Sequence, residues 1–172
     1  MDPIRSYDYL ERARAILFGR IAELTPEQYA QPIEIGPGAI NSTLIHLLLA
    51  EWYYLERIEH REVPPYGGDW PYQDEHPLPF DQLRAEWAAQ AKRTKAALAA
   101  VTDWDAPVRY RITVDSGETQ DVTATIGGFA TQLVLHEVHH RAQLLHMLRR
   151  LGRPADELDF NNLMFDRTPV TP

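Results

Sequence analysis

The sequence predicts an all-α four-helix bundle with a nonlinear helix order. Three observations carry this: four long stretches have helical patterning, a Pro-rich crossover follows the second, and a short alternating segment precedes the fourth. The chain has 172 residues, 44% hydrophobic and 24% charged, so one domain over 1–172 with a single core is expected rather than two domains or a disordered chain.

The first helix is expected over Ile4–Leu24, where Tyr9 or Leu10, Ala13, Ile16 or Leu17, Arg20 and Ile21, and Leu24 recur at three- and four-residue steps, and Thr25-Pro26 closes it. The segment 31–38 holds two prolines and two glycines, reads as a loop, and leads to Asn41 or Ser42 as N-cap of a second helix over Ser42–His60. Residues Glu62–Pro79 are rich in proline and aromatics and suit an irregular crossover, which argues against simple up-down-up-down order. Asp81 caps a third helix to about Val101.

The period then changes from helical to alternating. Val108-Arg-Tyr-Arg-Ile-Thr-Val114 with the turn-forming Asp115-Ser-Gly-Glu118 predicts a β-hairpin over about 108–122. Thr123 or Thr125 caps a fourth helix that ends at Leu151-Gly152, with Pro154 behind it, and a short helix and tail occupy 155–172.

Charge and composition exclude several function classes. Lys plus Arg total 17 and Asp plus Glu total 25, a net charge of −8 that disfavours a phosphate backbone, so no nucleic-acid partner is expected. The apolar stretches Ile35–Ala50 and Val122–His136 fall short of the ~18 residues of a membrane span, and no membrane association is expected. The first ten residues include Asp2, Arg5 and Asp8 without an apolar run, so the cytoplasm is the expected location. With no cysteine, the chain has neither thiolate metal ligands nor a thiol nucleophile of its own.

The chemistry lies in the fourth helix. Four residues turn a helix through about 400° and rise about 6 Å, so His136 and His140 stand one above the other, close enough to share a metal ion. His139 lies off that line, and His146 is expected in solvent near the helix end. Gln132 and Gln143 share that face or nearly so and make it polar; both are candidates beside the site, Gln143 either holding a ligand or bound water or serving as an ordinary polar core residue. Spacing alone leaves the pair open to a surface or hydrogen-bonded core role. His46 favours the metal reading, because an imidazole inside the apolar run Leu44-Ile-His46-Leu-Leu-Leu49 needs an acceptor or a metal to offset lost hydration. His46, His136 and His140 together supply three nitrogens to a divalent ion and leave positions open.

Other residues have plainer readings beside functional ones. Tyr53 is the pocket candidate among Trp52, Tyr53 and Tyr54, since its seven-residue offset keeps it on the side of His46, although aromatics on a bundle helix more often fill the core. Arg141 is a candidate for an anionic substrate or a surface ion pair. Trp70 and Tyr72 either cover the site or cap the bundle. Glu51 and Glu137 are poorly placed as proton acceptors, being about 140° and 100° around their helices from His46 and His136. No second Glu-x-x-His element accompanies Glu137 and His140, which disfavours a di-iron bundle.

The lone His within Asn41–Glu51, the long crossover, the hairpin before the last long helix, His136-x-x-x-His140-Arg141-Ala142-Gln143 and Leu148-Arg-Arg-Leu-Gly152 with Pro154 and Asp159 resemble the DinB/YfiT-like metal-dependent four-helix proteins. Ala142 stands where members of that family typically have glycine. The resemblance implies a three-histidine metal site on His46, His136 and His140, and a homodimer. It further implies a divalent ion, zinc or nickel first and iron or manganese after them. Better-understood relatives are thiol-dependent S-transferases or mycothiol-dependent maleylpyruvate isomerases.

Three functions follow as expectations. The first is a transferase in which a low-molecular-weight thiol supplies the nucleophile for an electrophilic small-molecule substrate. The second is a metal-dependent hydrolase, ranked lower for want of a placed proton acceptor. The third is a non-enzymatic metal- or ligand-binding stress-response protein.

Overall fold

The computed structural model describes residues 2–66, 68–114, 116–153 and 157–168. Pro154, Asp115 and the start and end of the expected C-terminal segment lie outside them. The described chain is mostly helical, with six helices and one small antiparallel sheet.

Helix α1 spans Pro3–Ile21. Asp2 caps it, its carboxylate accepting from the amides of Ile4 and Arg5 at 3.0 and 3.1 Å, and Pro3 follows where a missing N–H costs nothing. Tyr7, Leu10, Ala13, Leu17 and Ile21 form its buried stripe. The helix stops short of Leu24 because Thr25 starts a separate turn, α2 over Pro26–Tyr29, with a capping box between Thr25 and Gln28. Thr-Pro-Glu-Gln ends one helix in sequence terms, yet a capping Thr, Pro at the first position and Gln at the third also form a start signal.

Helix α3 spans Ile40–Ile58 and begins ahead of the expected Asn41 or Ser42 cap. Ala39 is its N-cap without a side-chain bond, and the fully buried Ile40 draws the first turn into the core. Helix α4 covers Phe80–Ala100, with Pro79 rather than Asp81 at the cap position; Asp81 lies in the first turn. Phe80 meets Phe18 and Tyr29 edge-on at 5.6 Å, which fixes the entry of α4 against α1 and α2.

Strands β1, Pro107–Thr113, and β2, Thr119–Thr125, pair antiparallel with Val108 opposite Ala124 and Arg111 opposite Asp121. The sheet runs three residues past Val122, and Thr125 both ends β2 and caps α5, accepting from the Gly128 amide at 3.0 Å. Helix α5 spans Ile126–Arg150 and ends at Leu151 and Gly152, whose φ of 72° suits glycine. A short α6, Phe160–Met164, closes the described chain.

Helix α1 packs on α4, α5 and α6, and α3 packs on α4 and α5. Leu10, Leu44, Leu48, Leu83, Trp87 and Leu144 are completely or almost completely buried between them. A charged network crosses this core. Glu51 accepts from the Tyr7 hydroxyl at 2.5 Å, Arg14 Nη2 at 2.9 Å, Trp87 Nε1 at 2.8 Å and Thr94 Oγ1 at 2.8 Å. Arg14 Nη2 also reaches Glu137 at 2.5 Å. Burial raises the Glu137 carboxyl above its usual range, against the pull of Arg14. No described helix is long and apolar enough to cross a membrane.

Candidate metal centre

The contact between α3 and α5 brings His46 against His136 and His140. Ring centroids lie 5.1 Å apart for His46 and His136, 4.8 Å for His46 and His140, and 4.5 Å for His136 and His140. One ring nitrogen from each lies within 4.8 Å of the others, a cluster able to hold a metal ion.

Two of the three rings are held from behind. His46 Nδ1 lies 3.2 Å from both carboxylate oxygens of Asp74, in the crossover, and His140 Nδ1 lies 2.8 Å from Gln143 Oε1. Each acceptor favours a proton on Nδ1 and leaves the Nε2 lone pair free, the arrangement by which outer groups orient imidazole ligands. Gln143 Nε2 in turn donates to His139 Nε2 at 3.1 Å. Loop 31–38 folds over this glutamine: Gly36 adopts φ 53°, and a Cβ there would collide with the Gln143 amide.

Electrostatics favour neutral rings at His136 and His140. Burial, reinforced by the neighbouring His140 and His46, lowers the His136 pKa to about 4, and burial lowers that of His140. Neutral imidazoles with free nitrogens fit a divalent cation, which competes with protons for the same lone pairs. A cavity of about 590 Å³ borders the cluster, lined by Gly36, Pro37, Ser42, Asp74 and His139 among others, so the site is open to a small molecule.

The remaining candidates fall in different places. Gln143 is at the site. Gln132 lies one turn before His136 on α5, its Nε2 3.4 Å from the Tyr54 hydroxyl. Tyr54, not Tyr53, stands edge-on against His136 at 5.7 Å; Tyr53 stacks on Trp70 at 5.7 Å, away from the histidines. Tyr53 shares the side of His46 but lies two turns farther along α3, where the crossover covers it. Trp70 packs on Trp52 as well.

Arg141 is neither a surface group nor part of the site. It is buried on the α1 side, with Nη2 donating to the Tyr9 hydroxyl and its guanidinium 4.7 Å from the Tyr9 ring centre. One residue is about 100° of helix, so His136 and His140 face α3 while Glu137 and Arg141 face α1. Asp74 and Gly36 carry no periodic signal in the sequence. Both lie in irregular segments, and the Gly between Ile35 and Pro37 is the sequence feature that fits a close approach.

Fold and cluster together define a helical protein with a three-histidine site able to bind a metal. The chain belongs to the DinB family, whose model matches residues 2–168. No curated protein matches it.

Proposed function

We propose that this protein binds a divalent metal at His46, His136 and His140, and uses it to activate a low-molecular-weight thiol for transfer to an electrophilic small molecule. The observation that carries the reading is the backing of two rings by Asp74 and Gln143 beside an open cavity. When bound, a divalent ion supplies Lewis acidity and favours thiolate over thiol, whose ordinary pKa is about 8.5. The chain's own part is to hold His46 and His140 in the tautomer that presents Nε2, and to keep the buried carboxylates away. Glu51 and Glu137 are occupied with Arg14, so neither takes a proton from a reactant in the cavity. The thiol is the nucleophile that a chain without cysteine does not provide. Three imidazoles suit zinc, nickel, iron or copper, and the family resemblance puts zinc or nickel first, with iron or manganese after them.

Hydrolysis is the second reading, and Asp74 is the observation in its favour, because its carboxylate lines the cavity. It ranks second because both oxygens face His46 Nδ1. The packing of α1 and of α3 each on both α4 and α5 supports one bundle with ring order α1–α4–α3–α5, the nonlinear order. An apolar groove of about 430 Å³ between α1, α5 and α6, flanked by the exposed Leu135 and Val138, supports association of two copies.

The test is elemental analysis of protein purified without added metal, alongside His136→Ala, followed by thiol-transfer assays with bacillithiol, mycothiol and glutathione. About one metal per chain in the parent, its loss in the variant and a rate above the metal-free control with one thiol are expected. Equal metal in both proteins removes the site; metal without any thiol rate removes the transferase reading.

A further inference from the structure

Arg57 is a buried cation without an anion among the described residues. It lies in the last turn of α3, is 7% exposed, and has its guanidinium carbon 4.3 Å from the Tyr110 ring centre and 5.0 Å from that of Tyr53. Its Nε is buried with no partner, and among the described residues the Arg57 side chain makes no hydrogen bond or ion pair. Two tyrosine faces offset part of the desolvation of a guanidinium, but they leave its hydrogen-bond donors unanswered. The contrast with Arg14, which meets both Glu51 and Glu137, is direct. Near Arg57, the carboxylates of Glu56 and Glu59 are already taken by Arg93 and Arg61.

Arg57 lines a groove of about 680 Å³ between the end of α3, the start of the crossover and β1. His60, at φ 55°, turns the chain out of the helix so that residues 61–65 form one wall. Arg61, Arg109 and Arg111 also line it, with Glu62 the one acidic residue among the described lining groups. Arg111 is held by Asp121 at 2.7 and 3.1 Å, whereas Arg109 has no ion-pair partner among the described residues. Val63, Val108 and the prolines 64 and 65 supply apolar wall. On a chain of net charge −8, a cavity with this lining is a local reversal of sign.

We propose that this groove is a second ligand site that takes an organic oxyanion, a carboxylate or a phosphate monoester on an apolar body. The anion is held by Arg57 and Arg109, and the body lies along Val63 and Val108. Guanidinium forks match both oxyanions, and the cavity has the size of a small-molecule site. Arg57 follows His46 by eleven residues of α3, about 16 Å along the helix, so the site is separate from the histidine cluster and does not rest on the metal reading.

Calorimetric titration of the full chain at low salt tests this, with chelator present so that the histidine cluster holds no metal. The probes are phenyl phosphate, benzoate and neutral benzyl alcohol. Saturable binding of at least one anion with Kd below about 1 mM, and none of the alcohol, is expected. Binding of phenyl phosphate alone identifies a phosphate ester, and of benzoate alone a carboxylate. Arg57→Gln and the exposed Arg109→Ser each weaken binding about tenfold or more, while Arg149→Ser on the last turn of α5 leaves it unchanged. Because Arg109 is exposed on β1, its variant keeps the test decisive should Arg57→Gln fail to fold. No saturable anion binding up to about 10 mM, or equal loss in Arg149→Ser, overturns the proposal.

Discussion

Asp74 backs His46 with both carboxylate oxygens at 3.2 Å from Nδ1, and it comes from the irregular crossover rather than from any helix. The crossover therefore does more than connect α3 to α4: it returns along α3 and orients a candidate metal ligand. Asp74→Asn keeps the shape but removes the charge that favours a protonated Nδ1. Metal affinity, measured by competition with a chromophoric chelator, is expected to fall by about 10- to 100-fold with an unchanged far-ultraviolet circular dichroism spectrum.

Gly36 is the matching device on the other side of the cluster. A methyl group there meets the Gln143 amide, and the φ of 53° is itself unfavourable for alanine. Gly36→Ala is expected to displace Gln143 from His140 and weaken metal binding by about tenfold, within the range for loss of an outer hydrogen bond. The double variant Gly36→Ala with Gln143→Ala should bind metal no worse than Gln143→Ala alone; a further loss would mean that the loop acts by another route.

The core network predicts a stability effect that leaves the site intact. Glu51→Ala leaves Arg14 with Glu137 alone and strips the acceptor from Tyr7, Trp87 and Thr94. Urea unfolding is expected to show a loss of about 3–5 kcal/mol, as for breaking a buried charge pair. Metal content of the folded fraction should stay near that of the parent.

Alkaline pH should unfold the protein through its buried phenols. Burial, with Glu86 adjacent, pushes the Tyr72 pKa up to about 12, and burial raises Tyr7 and Tyr29 as well. A raised folded-state value means that the unfolded chain releases its proton first. The stabilisation is complete below the unfolded value of about 10 and is lost as pH climbs toward the folded values. Urea midpoints are expected to hold steady up to about pH 10 and fall above it, less steeply in Tyr72→Phe. A flat profile to pH 12 would contradict the burial of these hydroxyls.

Association of two copies through the groove by α5 predicts a clean change in mass. Leu135 is 55% exposed, so Leu135→Glu costs the fold little while placing a charge in the proposed contact. Sedimentation velocity should show the parent as a dimer and the variant as a monomer. A parent that sediments as a monomer at about 100 μM removes that contact.

Helical periodicity alone placed the four long helices and set His136 and His140 on one face of the last, because those relations depend only on a rotation of about 100° per residue. The same rotation kept Glu51 and Glu137 off the faces of the histidines, and the structure puts both on Arg14. Cap chemistry was less decisive: Thr125 caps α5, but Ala39 and Pro79 begin helices where Asn41 and Asp81 offered better side chains, since burial of Ile40 and the packing of Phe80 outweigh one capping bond. Only the tertiary structure could bring Asp74 to His46, exchange Tyr53 for Tyr54 beside His136, bury Arg141 against Tyr9 and leave Arg57 without a carboxylate among the described residues. Each of these depends on how irregular segments close over the helices and on which neighbour fills each face, and no local spacing encodes that.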